Sequence, residues 1–240
     1  MTNITDLPRV KDFSRVVFFT GAGMSAASGV PTYRGAGGIW KEYDYTRYAC
    51  QRAFDRDPEG VWEFHNYRRG LVAACDPNEG HARIARAEEV MGDQVTVVTQ
   101  NIDGLHQLAG SARIHELHGS LWRVRCDTCE ETVTRRDSPL TELRCEGCGG
   151  WWRPDIVWFG DQLKGDVVAA ALAALEGCDL LIAIGTSAVV YPAAEMPLRA
   201  KRAGATLVEI NPEPTQLTPV YDHSVRATAI EALSVMCEGL

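Results

Sequence analysis

Residues Val16 to Trp40 read VVFFTGAGMSAASGVPTYRGAGGIW, a β-branched and aromatic run that breaks into a turn of glycines and small residues. A buried strand ending this way delivers bare backbone N–H groups to a phosphate at a helix N-terminus. Gly21 and Gly23 allow a tight turn and close main-chain approach, and Ala26 stands where a third glycine often sits. Alone the pattern is weak, because many strand-to-helix turns are glycine-rich only for packing. An ordinary dinucleotide unit runs through a helix into a second strand, ending in an acidic residue about 20 residues on. Glu42 and Asp44 stand at that distance, but Val30-Pro31, Gly35, Gly37-Gly38 and Trp40 before them read as a loop. The turn can hold a pyrophosphate, yet the ribose partner must come from elsewhere. This is not an ordinary dehydrogenase site.

Three other segments share the design of an apolar strand with a polar tip. Val95–Thr99 leads to Gln100-Asn101-Ile102-Asp103, Leu180–Ile184 to Gly185-Thr186-Ser187, and Thr206–Ile210 to Asn211-Pro212-Glu213. Continuous apolar runs suit strands covered on both faces, as in a parallel sheet. Helical stripes at Ile84, Ala87 and Met91 and at Val168, Ala171, Leu172 and Leu175 separate them, and Thr228-x-x-Glu231 opens the last helix as a capping box. The alternation predicts an α/β fold with a Rossmann-like, doubly wound parallel sheet. Ligands bind beyond the carboxyl ends of such strands, so the four polar tips should converge on one crevice. Residues 31–75 and 120–156 interrupt the alternation and are assigned to a smaller domain. The large domain is then discontinuous: 1–30, 76–119 and 157–240.

The eight cysteines divide sharply. Cys126, Cys129, Cys145 and Cys148 form two C-x2-C pairs at a spacing typical of zinc sites. Four thiolates leave the ion no open position, so the metal should be one structural zinc rather than a catalytic one. Cys50, Cys75, Cys178 and Cys237 are scattered and read as buried thiols. Apolar runs are too short to cross a bilayer and residues 1–15 are mixed and charged, which predicts a cytoplasmic protein without a membrane partner. A net charge of -8 argues against nucleic-acid binding.

These motifs occur together in a recognisable order. Gly21-Ala22-Gly23-Met24-Ser25 through Pro31-Thr32-Tyr33-Arg34 comes first, then Thr99-Gln100-Asn101-Ile102-Asp103 and His115-Glu116-Leu117-His118-Gly119. The cysteine pairs and Gly185-Thr186-Ser187 follow. The chain resembles a sirtuin, an NAD-dependent protein-lysine deacylase, over nearly its whole length. The resemblance implies a Rossmann-like large domain and a small domain made of a zinc ribbon and a helical module. NAD would lie between them, and an acyl-lysine would enter from the opposite side. It also implies that NAD is a co-substrate: the acyl oxygen attacks the ribose carbon bearing nicotinamide, giving an alkylimidate. A histidine then acts as base towards the ribose hydroxyls, and water completes the transfer to O-acyl-ADP-ribose.

Imidazole titrates near neutrality, as a general base should. The residues alone do not choose between His115 and His118; the resemblance selects His118. It places Asn101 and Asp103 in the nicotinamide pocket, where an amide and a carboxylate suit a carboxamide and the charge that develops as nicotinamide leaves. Gln100 would bond ribose, and Ile102 would join it. Thr186 and Ser187 after Gly185 would meet phosphate or ribose. Asn211, Pro212 and Glu213 would reach the adenosine end, and Ala229 would offer backbone near adenine. Ala22, Ser25, Ala26 and Trp40 complete the cofactor contacts. Arg34 would hold phosphate and Tyr33, where the family usually has phenylalanine, would screen the reactive carbon. Ile156, Val157, Phe159 and Gly160 match the segment that pairs with substrate main chain.

Trp62–Arg69, WEFHNYRR, reads as helix. Sirtuins that remove succinyl and malonyl groups carry Tyr-x-x-Arg here; His65 and Arg68 take those places and share a helix face. Arg68 suits bidentate carboxylate recognition, with His65 as a second donor. Ala36 leaves room for a longer chain, as in that subgroup. The expected preference is for acidic acyl groups, with acetyl-lysine removal as the alternative. A binding module without catalysis and mono-ADP-ribosyl transfer are the rival classes. The expected partners are acylated lysine-bearing proteins, and a monomer is the default.

Overall fold

The computed structural model describes residues 2–32 and 43–240. Six strands form a parallel sheet: β1 (Val16–Thr20), β2 (Val95–Thr99), β3 (Ile114–Glu116), β7 (Leu180–Ile184), β8 (Thr206–Ile210) and β9 (His223–Val225). Their spatial order is β3-β2-β1-β7-β8-β9. The chain winds outward from β1 in one direction and then from β7 in the other. The switch between β1 and β7 is where such a sheet opens a ligand crevice. The four strands expected from the sequence all form; the short edge strands β3 and β9 were not anticipated.

The apolar runs conceal a two-residue period. Val16 and Phe18 of β1, with Ile182 and Ile184 of β7, join a core with Ile84 and Ala87 of α4 (Glu79–Met91) and Leu233 and Met236 of α8 (Ala229–Met236). Val17 and Phe19 face the other way, with Leu181 and Ala183, onto Ala171 and Leu175 of α6 (Gly165–Glu176) and Met196 and Ala200 of α7 (Met196–Arg202). Both faces are covered, so every residue of β1 and β7 is buried. Each buried aromatic or branched side chain contributes roughly 1.5–3 kcal/mol. The Thr228–Glu231 capping box forms: Thr228 accepts from the Glu231 N–H, and Glu231 accepts from the Thr228 N–H at 2.9 Å.

A second, antiparallel sheet has the order β5-β4-β6, from β4 (Gly119–Cys126), β5 (Thr132–Thr134) and β6 (Trp152–Ile156). It packs against α3 (Pro58–Ala73), preceded by α1 (Tyr45–Tyr48) and α2 (Gln51–Arg56). The remaining helix, α5 (Leu105–Leu108), follows the tip of β2. Among the described residues no helix is long and apolar enough to cross a membrane.

The turn after β1 departs from expectation. No α-helix starts there; Ala22–Met24 and Ala26–Ser28 form two successive 3-10 turns, ended by Gly29 at φ 88°. A left-handed residue followed closely by Pro31 cannot extend a helix. The glycines also serve a purpose the sequence did not reveal. A Cβ on Gly23 would lie 2.6 Å from the Gly185 Cα, and one on Gly185, at φ 60°, would lie 2.5 Å from Gly23. The tips of β1 and β7 cross in contact, and the Gly23 N–H donates to the Gly185 carbonyl at 2.9 Å.

Candidate active site and zinc centre

The strand tips enclose one cavity of about 1290 Å³. Gly21, Ala22, Gly23 and Ala26 line it from β1, Gln100, Asn101 and Ile102 from β2, Gly185, Thr186 and Ser187 from β7. Asn211, Pro212 and Glu213 come from β8 and Ala229 from α8. His118, His65 and Arg68 line it too, as do Ile156, Val157, Phe159 and Gly160. Tyr33, Arg34 and Trp40, and Ala36 with them, lie outside the described residues. Ser25 and Asp103 do not face this cavity. Ser25 is buried behind its wall, and Asp103 borders a small adjoining space with Arg68, Asn101 and Ile102.

His118 stands where the two sheets meet, between β3 and β4. Gly119 makes that junction possible: at φ 76°, a Cβ there would sit 2.1 Å from the Asp155 carbonyl oxygen. The Val157 N–H donates to the His118 carbonyl at 3.0 Å, tying the seam to the 156–160 segment. His118 Nδ1 is 3.0 Å from the Gln100 carbonyl. A carbonyl only accepts, so Nδ1 carries the proton and Nε2 is the basic nitrogen. Burial pushes this imidazole below its ordinary pKa, with the Gln100 bond opposing. It is therefore neutral at physiological pH. His115, on β3, is not among the cavity-lining residues, so position separates the two histidines where composition did not.

Asn101 donates its amide N–H groups to the Gly21 carbonyl at 3.0 Å and to Ser25 Oγ at 3.3 Å. Its amide oxygen is then what it offers a ligand. Ser25 Oγ donates to Asp103 Oδ2 at 2.7 Å, and the Leu105 N–H donates to Oδ1 at 2.9 Å. Burial still raises the Asp103 pKa, against those hydrogen bonds. Gln100 Nε2 donates to Thr186 Oγ1 at 3.3 Å, and Asn211 Nδ2 to the Thr186 carbonyl at 2.8 Å. These side chains tie the tip of β7 to that of its neighbour β8 and, across β1, to that of β2.

His65 is a correction. Its Nε2 is 3.1 Å from the Tyr48 carbonyl and its ring stacks on Trp158 at 5.9 Å. Burial, helped by Arg68, lowers its pKa to about 3. A neutral ring with its N–H committed to a carbonyl keeps only an acceptor, which cannot bind a carboxylate. His65 shapes the wall; it is not a second donor beside Arg68, which is itself buried.

The sulfurs of Cys126, Cys129, Cys145 and Cys148 lie within 4.8 Å of one another, and all four cysteines are free thiols. The Cys126–Cys148 and Cys129–Cys145 separations are 3.4 and 3.8 Å. Zinc–sulfur bonds of about 2.3 Å in a tetrahedron place sulfurs about 3.8 Å apart, so the set fits one zinc and no disulfide. A Cβ on Gly150 would press on Thr128 Oγ1 and on Cys126 Sγ, at 2.4 and 3.0 Å. Of the scattered cysteines, Cys178 and Cys237 are buried as expected; Cys50 and Cys75 are only half-buried, each donating at 3.3 Å to a helical carbonyl of Thr46 or Leu71.

Comparison with known proteins assigns this arrangement. The Sir2 family profile matches residues 21–192. The chain belongs to the Sir2 family. An NAD-dependent protein deacylase 2 from Pyrobaculum aerophilum is 46% identical over 238 residues, covering 98% of this chain and 94% of that protein. A Sir2 homologue solved with NAD has a TM-score of 0.87 at 40% identity, covering 98% of this chain and 90% of its own. A Sir2 protein solved with a deacetylated p53 peptide and 3′-O-acetyl-ADP-ribose has a TM-score of 0.84 at 34% identity, covering 95% of each chain.

Within this sirtuin framework the sequence reading missed part of the lining. Leu121, Trp158, Leu163, Val190 and Tyr191 also face the cavity. Val189 and Tyr191 are exposed apolar residues directly after the Gly185-Thr186-Ser187 tip, a signal the sequence did carry.

Proposed function

We propose that this sirtuin is an NAD-dependent protein-lysine deacylase with His118 as its general base. What carries the reading is the convergence on one cavity of four strand tips, His118 and the 156–160 segment. The glycine tips and Asn211 suit the phosphates and adenosine, while Asn101 and Asp103 suit the nicotinamide end. NAD supplies a ribose carbon that becomes electrophilic as nicotinamide departs. This chain positions that carbon, keeps a neutral imidazole beside it, and offers an extended edge to a lysine-bearing segment. The division into a large unit (1–30, 76–119, 157–240) and a small one (31–75, 120–156) puts this chemistry at their border. Away from the cavity, the four thiolates would hold one zinc as a structural clasp of the small unit.

Incubation with NAD and acetyl-, succinyl- and malonyl-lysine peptides, followed by mass spectrometry, tests the proposal. O-acyl-ADP-ribose and free lysine are expected. Modified protein would indicate ADP-ribosyl transfer instead, and unchanged NAD a binding module.

The finer proposal is that Arg68 favours acidic acyl groups. A guanidinium on the wall of the cavity that holds His118 suits a carboxylate. Arg68→Met should cut succinyl-peptide kcat/KM at least about tenfold more than acetyl-peptide kcat/KM, since a charge-assisted bond is worth roughly 1.5–3 kcal/mol. Equal losses would remove Arg68 from specificity. Simple deacetylation is the second reading, favoured by the committed N–H of His65 and by the aliphatic walls at Ile102, Leu121 and Ile156.

A further inference from the structure

The sequence TLVEI of β8 places a glutamate beside Leu207, Val208 and Ile210 in a strand paired on both edges, and Glu209 is only 2% exposed. An isolated carboxylate in such a place is costly unless it is paired and hydrogen-bonded. Glu209 is both. Thr215 Oγ1 donates to Oε1 at 2.7 Å, Thr218 Oγ1 to Oε2 at 2.8 Å and Ser224 Oγ to Oε2 at 2.6 Å. Both terminal nitrogens of Arg226 donate to Oε2 at 3.1 Å. Arg226 then reaches further: its Nη1 donates to the carbonyls of Asn211 and Glu213 at 3.2 Å each. These partners span residues 211 to 226. The carboxylate and guanidinium together thus fix the backbone of the loop after β8, whose residues Asn211, Pro212, Glu213 and Thr215 line one end of the cavity. Neither Glu209 nor Arg226 lines the cavity itself.

We propose that the buried Glu209–Arg226 pair is the positioning device of the adenosine end, holding the 211–215 loop in the shape that grips the nucleotide. The inference rests on the reading of this cavity as an NAD site. The pair acts through backbone and touches no reacting atom, so its loss should affect nucleotide affinity and leave the chemical step alone. Asp222 and His223 lie near this edge, but among the described residues the hydrogen-bonded partners of Glu209 are the hydroxyls of Thr215, Thr218 and Ser224 and the Arg226 guanidinium. A preformed loop lowers the ordering cost of binding.

Calorimetric titration of the zinc-loaded protein with ADP-ribose is the test, run beside NAD and acyl-peptide kinetics. Arg226→Met should weaken ADP-ribose binding and raise KM for NAD at least about tenfold. The kcat at saturating NAD and the KM for peptide should stay within about threefold of the parent. Arg226→Lys should recover part of the loss by keeping the charge. Thr218→Val, which removes one neutral donor, should give a smaller change in the same direction in a protein that still folds. Hydrogen exchange at Asn211 and Glu213, read without nucleotide, should quicken in Arg226→Met. Unchanged ADP-ribose affinity in folded Arg226→Met, or kcat falling in step with affinity, would overturn the inference. Failure of the parent protein to bind ADP-ribose would instead remove the NAD reading beneath it.

Discussion

His118→Ala should lose roughly 10²- to 10⁴-fold in kcat for every acyl peptide tested, the usual contribution of one positioned acid–base group. ADP-ribose affinity should change no more than a few-fold, because the groups proposed to hold the nucleotide lie on the turns after β1, β7 and β8. The pH profile carries the same claim. The form proposed to act as base is the neutral ring with Nδ1–H fixed on Gln100. Burial lowers the pKa of this group in the folded protein. Activity is therefore full above the ordinary imidazole value near 6.5 and falls only as pH drops through the lower folded value. The acid limb of kcat/KM should lie below 6.5 and disappear in His118→Ala. An acid limb that persists unchanged in the variant, or a kcat loss below about tenfold, would assign the base elsewhere.

Removal of the metal should be as damaging by a different route. Structural zinc contributes on the order of 10 kcal/mol or more to small thiolate sites, comparable to the whole stability of an ordinary domain. Here Cys126 and Cys145 lie inside a core shared with Phe54 and Trp62 of the helices and with Trp152 and Trp158. Trp62 Nε1 donates to the Trp152 carbonyl at 2.6 Å, linking the ribbon to α3. Helix α3 carries His65 and Arg68, and Trp158 lines the cavity. Loss of the ion should therefore spread from the cysteines to the cavity wall made by His65, Arg68 and Trp158. Elemental analysis should find one zinc per chain. Chelation, or Cys145→Ala, should remove it together with nearly all deacylation and lower the melting temperature by well over 10 °C. A metal-free protein that keeps its activity would show that the four thiolates do not need the ion.

Much of this was readable in one dimension. The four apolar runs became strands with the bounds read from sequence, because continuous burial on both faces leaves a local record in residue type. The cysteine quartet was equally legible, since ligand spacing is a property of two short turns. The Arg153–Asp161 contact, at 2.7 Å and almost fully buried on the arginine side, was not; nothing local marks a pair that braces the 156–160 segment. The short edge strands β3 and β9 also escaped notice, as three residues carry too little periodicity to read.

What the sequence alone determined was the α/β class, the strand tips, the thiolate set and the identity of the residues available for chemistry. Tertiary structure decided which of them meet. It put His118 rather than His115 on the cavity, used the N–H of His65 on a backbone carbonyl, and pressed Gly23 against Gly185 across 162 positions of chain. The reason is physical: propensity and periodicity are set by near neighbours, whereas the environment of a side chain is set by whatever remote backbone the closed fold brings against it.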